Sequence, residues 1–317
     1  MSNKILSVLL AVTLIISLGS LWGVTLLNRS TLLIPEQIIE IRKDVANIKG
    51  GLPPFWGGWP AQGWMVKVED GPTVYFAGDT DLMINWEAIR DFYAPDIVVA
   101  THSKIYQMGV EEWVYAINII QPSYVLASHH NSFPFYPKDD SDFVIAMNER
   151  TPATGVTLPA PGEQFEIMGL EFTWLGHSGF VMETPNGSRI VLDPEWKAVN
   201  AANYPPQYKT AEGLAADLIL ITHGHFDHFN PEVLRILLQP RGDRISYLAQ
   251  LFEFSAFTQK LIPEAAARGQ LLPINLGVWI TAEDMRNAYG VSDSYPDDVQ
   301  IAGIFATHSS GVLSTIR

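Results

Sequence analysis

The sequence predicts an α/β fold in which strands and helices alternate along two halves of the chain. Short apolar runs that suit strands buried on both faces, such as residues 74–77 and 218–221, are followed by segments with helical signals. In both halves, several strands end at a histidine or an aspartate. A buried strand that ends in this way is typical of a sheet edge that presents functional side chains.

Length and composition predict a large folded core and limit the available chemistry. The chain has 317 residues, of which 47% are hydrophobic and 11% aromatic, enough for one large domain or two small ones. A net charge of −14 argues against a nucleic-acid partner, because binding phosphates needs a positive field. There is no cysteine, so metal ligands must be nitrogen and oxygen atoms.

The first 30 residues predict a membrane anchor. Residues 5–27 are uncharged and mostly apolar, and this run is long enough to cross a bilayer core, for which ~20 residues suffice. We interpret residues 1–30 as an uncleaved transmembrane signal anchor, with a cleaved signal peptide as the alternative. The interpretation predicts a single-pass membrane location with an extracytoplasmic catalytic domain.

Residues 31–50 predict a juxtamembrane helix or linker. Isoleucine and valine side chains recur at helical spacing between residues 38 and 48. Glycines and prolines then mark the start of the main domain. We therefore expect three regions, at residues 1–30, 31–50 and 51–317.

Residues 51–167 form the first half of the main domain. Strands are predicted at residues 65–69, 74–77, 96–100 and 124–128, and helices at residues 85–93 and from Met108 onward. The second strand is followed by Asp79, and the fourth by His129 and His130. His129 is the preferred functional residue of that pair, with His130 as the alternative. His102, after the third strand, is interpreted as a polar group at a strand end.

Residues 168–317 form the second half. Strand-forming sequence at residues 170–183 contains His177 within a glycine-bounded turn. A strand at residues 189–192 ends at Asp193, and a strand at residues 301–306 is followed by His308. The second half thus repeats the pattern of polar side chains at strand ends.

The segment at residues 223–228 carries the potential metal ligands His223, His225, Asp227 and His228. It follows a buried strand and precedes a helix that Asn230 would cap. Side chains two apart in an extended segment point the same way, which places the first three ligands on one side. Imidazole and carboxylate suit a divalent ion such as zinc, and four ligands in six residues are too many for one ion. The segment predicts two adjacent metals, with a loop of solvated histidines as the alternative.

Several motifs resemble those of the metallo-β-lactamase superfamily. They are Gly176-His177-Ser178-Gly179, the His-x-His-x-Asp-His pattern at 223–228, His308, Gly78-Asp79-Thr80, and His129 ahead of Asn131-Ser132-Phe133-Pro134. The resemblance is to the metal-dependent hydrolase branch that includes ascorbate-6-phosphate lactonase-like proteins and, more distantly, N-acylphosphatidylethanolamine phospholipases. It implies a four-layer αββα sandwich, here preceded by the transmembrane helix.

The two halves stand in the opposite order from the family. Residues 51–167 resemble the family's second half, and residues 168–317 resemble its first half. We interpret this order as a circular permutation, because domain termini often lie close together and moving the cut to another loop preserves the packed contacts. A rearranged or chimeric chain is the alternative.

The resemblance also implies a ligand set. It assigns three histidines to the first metal, three residues to the second, and Asp79 to a bridge between the two ions. The first set is His223, His225 and His308; the second is Asp227, His228 and His129. Separately from this ligand set, His177 and Asp193 are expected to orient ligand histidines. The alternatives are a structural or ligand role for His177 and a turn or cap acid before Pro194 for Asp193. The ions are expected to be two divalent metals, with zinc favoured and manganese or iron as alternatives.

These features predict a membrane-anchored hydrolase with two metal ions. A metal-bound hydroxide, with Asp227 and Asp79 as the catalytic carboxylates, would attack an ester, lactone or phosphodiester. The expected partners are a small-molecule or lipid-like substrate and the membrane, and no nucleic acid. The alternatives are a non-catalytic metal-binding module of the same fold and an oxidoreductase of the flavodiiron kind. The second alternative is disfavoured because that relative carries glutamate where this chain has His225.

Overall fold

The computed structural model describes residues 61–103, 107–130, 140–197, 203–242 and 244–306, which form two mixed β-sheets with helices packed on them. The strands, in chain order, are β1 (Ala61–Val68), β2 (Thr73–Phe76), β3 (Ile97–Thr101), β4 (Tyr124–Ser128), β5 (Gly155–Thr157), β6 (Gln164–Ile167), β7 (Leu170–Gly176), β8 (Gly179–Glu183), β9 (Arg189–Leu192), β10 (Leu218–Leu220), β11 (Tyr247–Leu251), β12 (Leu271–Ile274) and β13 (Val299–Ala306).

The first sheet has six strands in the order β13-β1-β2-β3-β4-β5. The pairs from β2 to β5 are parallel, so β2, β3 and β4 present their carboxyl ends along one edge. β1 pairs antiparallel with β2 on one side and with β13 on the other. The first sheet therefore combines strands from both ends of the described chain.

The second sheet has seven strands in the order β12-β11-β10-β9-β8-β7-β6. The pairs from β9 to β12 are parallel, and the pairs from β6 to β9 are antiparallel. The carboxyl ends of β9 and β10 therefore lie side by side, and they lead into Asp193 and the segment at residues 221–230.

Helices follow the parallel strands and pack on the sheets. In the first half they are α1 (Trp86–Tyr93), α2 (Val110–Ile120) and α3 (Ser141–Arg150); in the second they are α4 (Pro231–Leu237), α5 (Phe252–Leu261), α6 (Pro263–Ala267) and α7 (Ala282–Tyr289). Asn230 caps α4 by accepting hydrogen bonds from the backbone N–H groups of Glu232 and Val233, at 3.0 and 3.4 Å. This cap ends the loop that carries the predicted metal ligands.

Alternating side chains divide the core into three apolar layers. On β2, Val74 and Phe76 pack in the cluster that both sheets share, whereas Tyr75 packs with α1 and α2. On β10, Leu218 and Leu220 face the shared cluster, and Ile219 packs with α4 and α5. The layers are therefore helix, sheet, sheet and helix, and strands buried on both faces account for the continuous apolar runs in the sequence.

Three contacts tie the two sheets together beside the predicted site. The backbone N–H of Gln62 in β1 donates to the carbonyl oxygen of Thr222 at 3.1 Å. The side chains of Gln62 and Trp64 both donate to the carbonyl oxygen of Ile221, at 3.3 and 3.1 Å. Because these groups are buried, the contacts fix the segment that leaves β10 against the first sheet.

The α/β prediction is confirmed, since both halves contain a mixed sheet flanked by helices. A tight turn follows β1: the N–H of Val68 donates to the carbonyl oxygen of Pro72, and Asp70 has a positive φ of 53°. The sequence analysis predicted no element within residues 240–299, where the structure has β11, α5, α6, β12 and α7.

The predicted single-pass membrane location is wrong. Across the part of the chain that the structure describes, no helix combines the length and the apolar character that crossing a membrane requires. The predicted anchor at residues 1–30 and the predicted helix at residues 31–50 lie outside the described residues, as does His308.

Replacing Gly78 by alanine tests the close approach of the two sheets. Gly78 has a φ of +62°, and a Cβ there would lie 2.8 Å from the carbonyl oxygen of Gln62 and 3.1 Å from Cβ of Thr222. We expect Gly78→Ala to lower the free energy of unfolding by about 3 kcal/mol. The control, Gly169→Ala, has a φ of +80° with nothing within 4 Å, and should cost about 1–2 kcal/mol. Urea unfolding followed by circular dichroism gives both values, and equal losses would contradict the prediction.

Candidate metal centre

The candidate metal centre lies where strand ends of the two sheets meet. Asp79 follows β2 and His129 follows β4 of the first sheet. The second sheet contributes His177 from the turn between β7 and β8, Asp193 after β9, and the segment at residues 221–230 after β10. Each of these positions lies just after the end of a strand whose apolar side chains are buried. The two sheet edges thus supply opposite walls of one site.

Three residues of the site adopt left-handed backbone conformations that non-glycine residues rarely occupy. The φ angles are 67° at His129, 54° at His177 and 40° at Asp193. Such conformations cost of order 1–3 kcal/mol each and persist where the surrounding structure determines them. The N–H of His129 donates to the carbonyl oxygen of His177 at 2.8 Å, which ties two of the three together.

The carboxylate of Asp79 lies between imidazoles of both sheets. Its Oδ1 is 3.5 Å from Nε2 of His129, and its Oδ2 is 3.4 Å from Nε2 of His228 and 3.9 Å from Nε2 of His223. Only 2% of Asp79 is exposed. A carboxylate buried this deeply must be compensated by positive charge or by hydrogen bonds.

Asp227 joins a second set of donors. Its Oδ2 lies 3.0 Å from Nε2 of His177, 3.8 Å from Nε2 of His228 and 4.0 Å from Nε2 of His129. Two groups of donor atoms therefore lie close enough together to hold an ion, and both include His228. One group is His129, His177, Asp227 and His228; the other is Asp79, His223 and His228.

Asp193 and Thr222 orient the buried imidazoles from behind. Asp193 Oδ2 lies 2.8 Å from Nδ1 of His228 and accepts a hydrogen bond from Oγ1 of Thr222 at 2.6 Å, while its Oδ1 accepts from the backbone N–H of Thr222 at 2.9 Å. Thr222 Oγ1 is also 3.0 Å from Nδ1 of His223. The contact from Asp193 leaves Nε2 of His228 directed at the two other carboxylates.

The carboxylates make positive charge favourable at His228. Burial alone would lower the pKa of His228, but Asp79, Asp227 and Asp193 hold that pKa well above its usual value. Burial alone would raise the pKa of Asp227, but the charge of His228 and the hydrogen bond with His177 bring it well below its usual value. Burial, followed by the neighbouring His177, lowers the pKa of His129 well below its usual value. A divalent cation would likewise offset the negative charge of these carboxylates.

The donor set fits a metal ion. Nε2 of His228 is buried and has no hydrogen-bond partner among the described residues, although it lies within 3.8 Å of two carboxylates. Tetrahedral coordination with bonds of ~2.1 Å places neighbouring donor atoms about 3.4 Å apart. Five separations around Asp79 and Asp227 are 3.4–4.0 Å, close to that spacing, whereas Oδ2 of Asp227 and Nε2 of His177 are 3.0 Å apart.

The structure brings together most of the predicted ligands. Asp79, His129, His223, Asp227 and His228 all belong to the two groups of donor atoms. His225 stands beside them, with its Nδ1 2.9 Å from Nε2 of His223, and His308 lies outside the described residues. The roles of these residues as ligands stay predictions.

His177 and Asp193 were predicted to orient ligand histidines. Asp193 contacts His228 as such a residue would, whereas His177 presents Nε2 to the centre of the site alongside the ligand candidates. The geometry therefore allows His177 a direct contact with an ion as well as an orienting role. Both roles remain predictions.

His130 and His102 face a different carboxylate. Nδ1 of His130 lies 3.4 Å from Oδ2 of Asp140, and Nδ1 of His102 lies 3.3 Å from its Oδ1. The ring of His130 stacks on Trp174 at 4.3 Å, and burial lowers the pKa of His130 to about 4. His129, rather than its neighbour, is therefore the histidine that enters the candidate centre.

Sequence reasoning missed Thr222 and Gln107. The polar threonine within an apolar run, directly before the first histidine, was a local signal for Thr222. Gln107 donates from Nε2 to Oδ2 of Asp79 at 2.5 Å, and nothing in its sequence neighbourhood indicates this contact.

Comparison with known proteins gives a partial match. Residues 171–289 match a family described as "Beta-lactamase superfamily domain". The chain is similar to a UPF0173 metal-dependent hydrolase of Archaeoglobus fulgidus, with 33% identity over 110 residues that cover 35% of this chain and 47% of the relative. The corresponding relative from Methanoculleus marisnigri is 36% identical over 115 residues, covering 36% of this chain and 50% of the relative. The chain spans about half the length of these curated relatives.

A solved structure shows a more distant similarity. It is a metallo hydrolase from the hyperthermophilic archaeon Ignicoccus hospitalis, with 23% sequence identity and a TM-score of 0.29. The match covers 42% of this chain and 74% of that chain.

Replacing Asp193 by asparagine tests its role behind His228. Asparagine offers one acceptor oxygen where the aspartate uses two, so we expect the affinity for Zn²⁺ to fall by about 10- to 100-fold. The measurement is competition with a chromophoric chelator. The control is Asp217→Asn. Asp217 lies just before the amino end of β10, opposite to the end that leads into the candidate centre, and its carboxylate accepts hydrogen bonds from Arg244 at 2.7 and 2.8 Å. The control should lose stability and keep its zinc affinity, and unchanged zinc binding in Asp193→Asn would argue against the role.

Proposed function

We propose that the protein is a hydrolase that uses two divalent metal ions, and the match of residues 171–289 to a family described as "Beta-lactamase superfamily domain" supports this proposal. Asp79 would bridge the ions. His223, with His225 and His308, would hold one ion, and Asp227, His228 and His129 would hold the other. Zinc is the favoured metal because the donors are imidazole and carboxylate groups at near-tetrahedral spacing, and manganese or iron would accept the same donors.

The observation that carries this proposal is the position of the Asp79 carboxylate. Its two oxygens face different imidazoles, with Oδ1 toward His129 and Oδ2 toward His228 and His223. Two divalent cations would offset the charge of both oxygens, and the candidate donors outnumber those that one ion usually takes.

In a hydrolysis, the residues around the centre would orient the ligand histidines and offset the charge of the metal ions. When bound, two divalent ions supply an activated water and stabilise the negative charge that develops on the substrate. Asp193 orients His228, Thr222 contacts His223, and Asp79 and Asp227 offset the charge of the ions. Because the donors are buried and fixed by strand ends, little rearrangement is needed during the reaction.

A cavity of about 810 Å³, lined in part by Gln107, is the proposed place for a small-molecule substrate. Its described lining residues are Asp81, Leu82, Gln107, Met108, Gly109, Val110, Glu111, Glu112, Asp142 and Ala146. None of these is a histidine, and Gln107 connects the cavity to the centre through its hydrogen bond to Asp79. The volume is in the range of sites for small ligands.

The charge of the cavity favours an uncharged or cationic substrate. Four of the described lining residues are acidic and none is basic, and one of the four, Glu111, pairs with Arg150 at 2.6 Å. The amino ends of α2 and α3 offset at most about half a charge each. This acidic composition of the described lining favours a neutral ester or lactone over an anionic phosphodiester.

We also propose that the two halves are a circular permutation of the family's order. Ala61 of β1 pairs with Ala306 of β13, so a short connection could join these strand ends. The matches to curated relatives cover about half of each relative. A comparison that requires the same chain order in both proteins would align only one of two exchanged halves, so this coverage supports the proposal. In this proposal residues 51–167 are the family's second half and residues 168–317 its first. A chain reordered to begin at Met168 and end at Ile167 should fold, and its failure to fold would count against the proposal.

Metal removal and a substrate panel test the proposed function. We expect the purified protein to contain close to two metal ions per chain by elemental analysis, and to hydrolyse neutral p-nitrophenyl esters or lactones. Treatment with a chelator should abolish hydrolysis, and added Zn²⁺ or Mn²⁺ should restore it. Asp79→Ala should lower kcat/KM by at least about 100-fold, since it removes the bridge between the ions.

The panel also separates the alternatives. Protein that binds two metals and hydrolyses nothing would point to a non-catalytic module of the same fold. A higher kcat/KM for bis(p-nitrophenyl) phosphate than for the neutral esters would overturn the assignment of substrate charge. Protein without metal, or full activity in Asp79→Ala, would refute the proposed function.

A further inference from the structure

Gln107 lies between β3 and α2, and its side chain contacts the carboxylate of Asp79. We propose that Gln107 is a positioning residue, which fixes the orientation of the Asp79 carboxylate so that each oxygen faces one of two metal ions. The inference rests on the proposed function, because it assigns a residue to the geometry of that metal centre.

The contact is short and buried. Nε2 of Gln107 donates to Oδ2 of Asp79 at 2.5 Å, and 7% of Gln107 and 2% of Asp79 are exposed. On its other side, Oγ of Ser103 donates to Oε1 of Gln107, and Ser103 is fully buried. The hydroxyl, the amide and the carboxylate thus form one directed chain of hydrogen bonds.

The chemistry of the groups fixes the direction of this chain. An ionised carboxylate only accepts hydrogen bonds, so the amide must present its NH₂ group to Asp79. The amide oxygen then faces Ser103, whose hydroxyl is the donor. A carboxylate has about four acceptor positions, so a single N–H on Oδ2 does not by itself prevent either oxygen from binding a cation.

The backbone around Asp79 is held by the same part of the chain. Oγ1 of Thr101, at the end of β3, donates to the carbonyl oxygen of Gly78. The N–H of Met108 donates to the carbonyl oxygen of Thr80 at 3.2 Å. The residues on both sides of Asp79 are therefore fixed by main-chain contacts, and Gln107 fixes the side chain between them.

A single directed hydrogen bond matters here because the terminal torsion of an aspartate is soft. That torsion is broad and roughly two-fold, so the backbone alone does not decide the plane of the carboxylate. With Gln107 on Oδ2, Oδ1 points to His129 and Oδ2 to His228. Without it, the carboxylate can rotate and offer both oxygens to one ion, at the expense of the second.

Zinc binding by the full chain tests the inference without relying on turnover. Gln107→Met keeps the length of the side chain and removes the donor. After chelator treatment, titration with Zn²⁺ against a competing chelator should show that at least one of the two ions binds about 10- to 100-fold more weakly than in the wild type. Ser103→Ala, a smaller change, should weaken the same ion in the same direction by several-fold.

The matched control is Gln270→Met. Gln270 is also fully buried, and its Nε2 donates to the carbonyl oxygens of Leu238 and Ser246, both at 2.9 Å. It lies at the amino end of β12, away from the carboxyl ends of the parallel strands that form the centre. Loss of its hydrogen bonds should lower Tm and leave zinc affinity unchanged, so the control separates positioning from general stability.

The outcomes distinguish failure of this inference from failure of the proposed function. If the wild type binds two zinc ions and both Gln107→Met and Ser103→Ala bind them with affinities within twofold of the wild type, Gln107 does not position Asp79. If Gln270→Met loses zinc affinity as strongly as Gln107→Met, the effect is general destabilisation and the inference is overturned. If the wild type binds no zinc, both the inference and the proposed function are overturned.

Discussion

The site depends on two buried carboxylates and one partly buried carboxylate that lie among histidines where the two sheets meet. Asp79, Asp193 and Asp227 all approach His228, and each belongs to a different strand-end segment. Burying several carboxylates together is costly unless positive charge lies between them. The imidazoles satisfy part of this requirement, and two divalent cations would satisfy the rest. The left-handed backbone at His129, His177 and Asp193 is consistent with a site whose geometry the surrounding structure enforces.

Chain order has little influence on this arrangement. β13 pairs with β1 across the whole length of both strands, although the two lie at opposite ends of the described chain. Gly78 then brings the end of β2 against Thr222, so the two walls of the site meet without a side chain between them. Sheet pairing and this close contact, rather than proximity in sequence, place Asp79 opposite His223 and His228. A permuted order would keep all of these contacts.

The sequence predicted what depends on local pattern. Apolar runs identified strands such as β2 and β10, and the cluster from His223 to His228 identified one wall of the site because its ligands are adjacent along the chain. It did not predict β11, α5 and β12, where apolar residues mix with polar ones and no turn signal stood out. Gln107 was missed because its contact with Asp79 spans 28 positions and depends on how β3 and α2 are joined. The membrane location failed because it rested on one apolar segment, while the residues that the structure describes contain no helix able to cross a membrane.

The central claim is that Asp79 holds two ions between the sheets. The most direct test is anomalous diffraction at a metal absorption edge, from crystals of the full chain grown with Zn²⁺. If Asp79 holds two ions, the map should contain two peaks about 3.5–4 Å apart, one on each side of the Asp79 carboxylate, with His223 on one ion and Asp227 on the other. A single peak, or peaks away from Asp79, would contradict it.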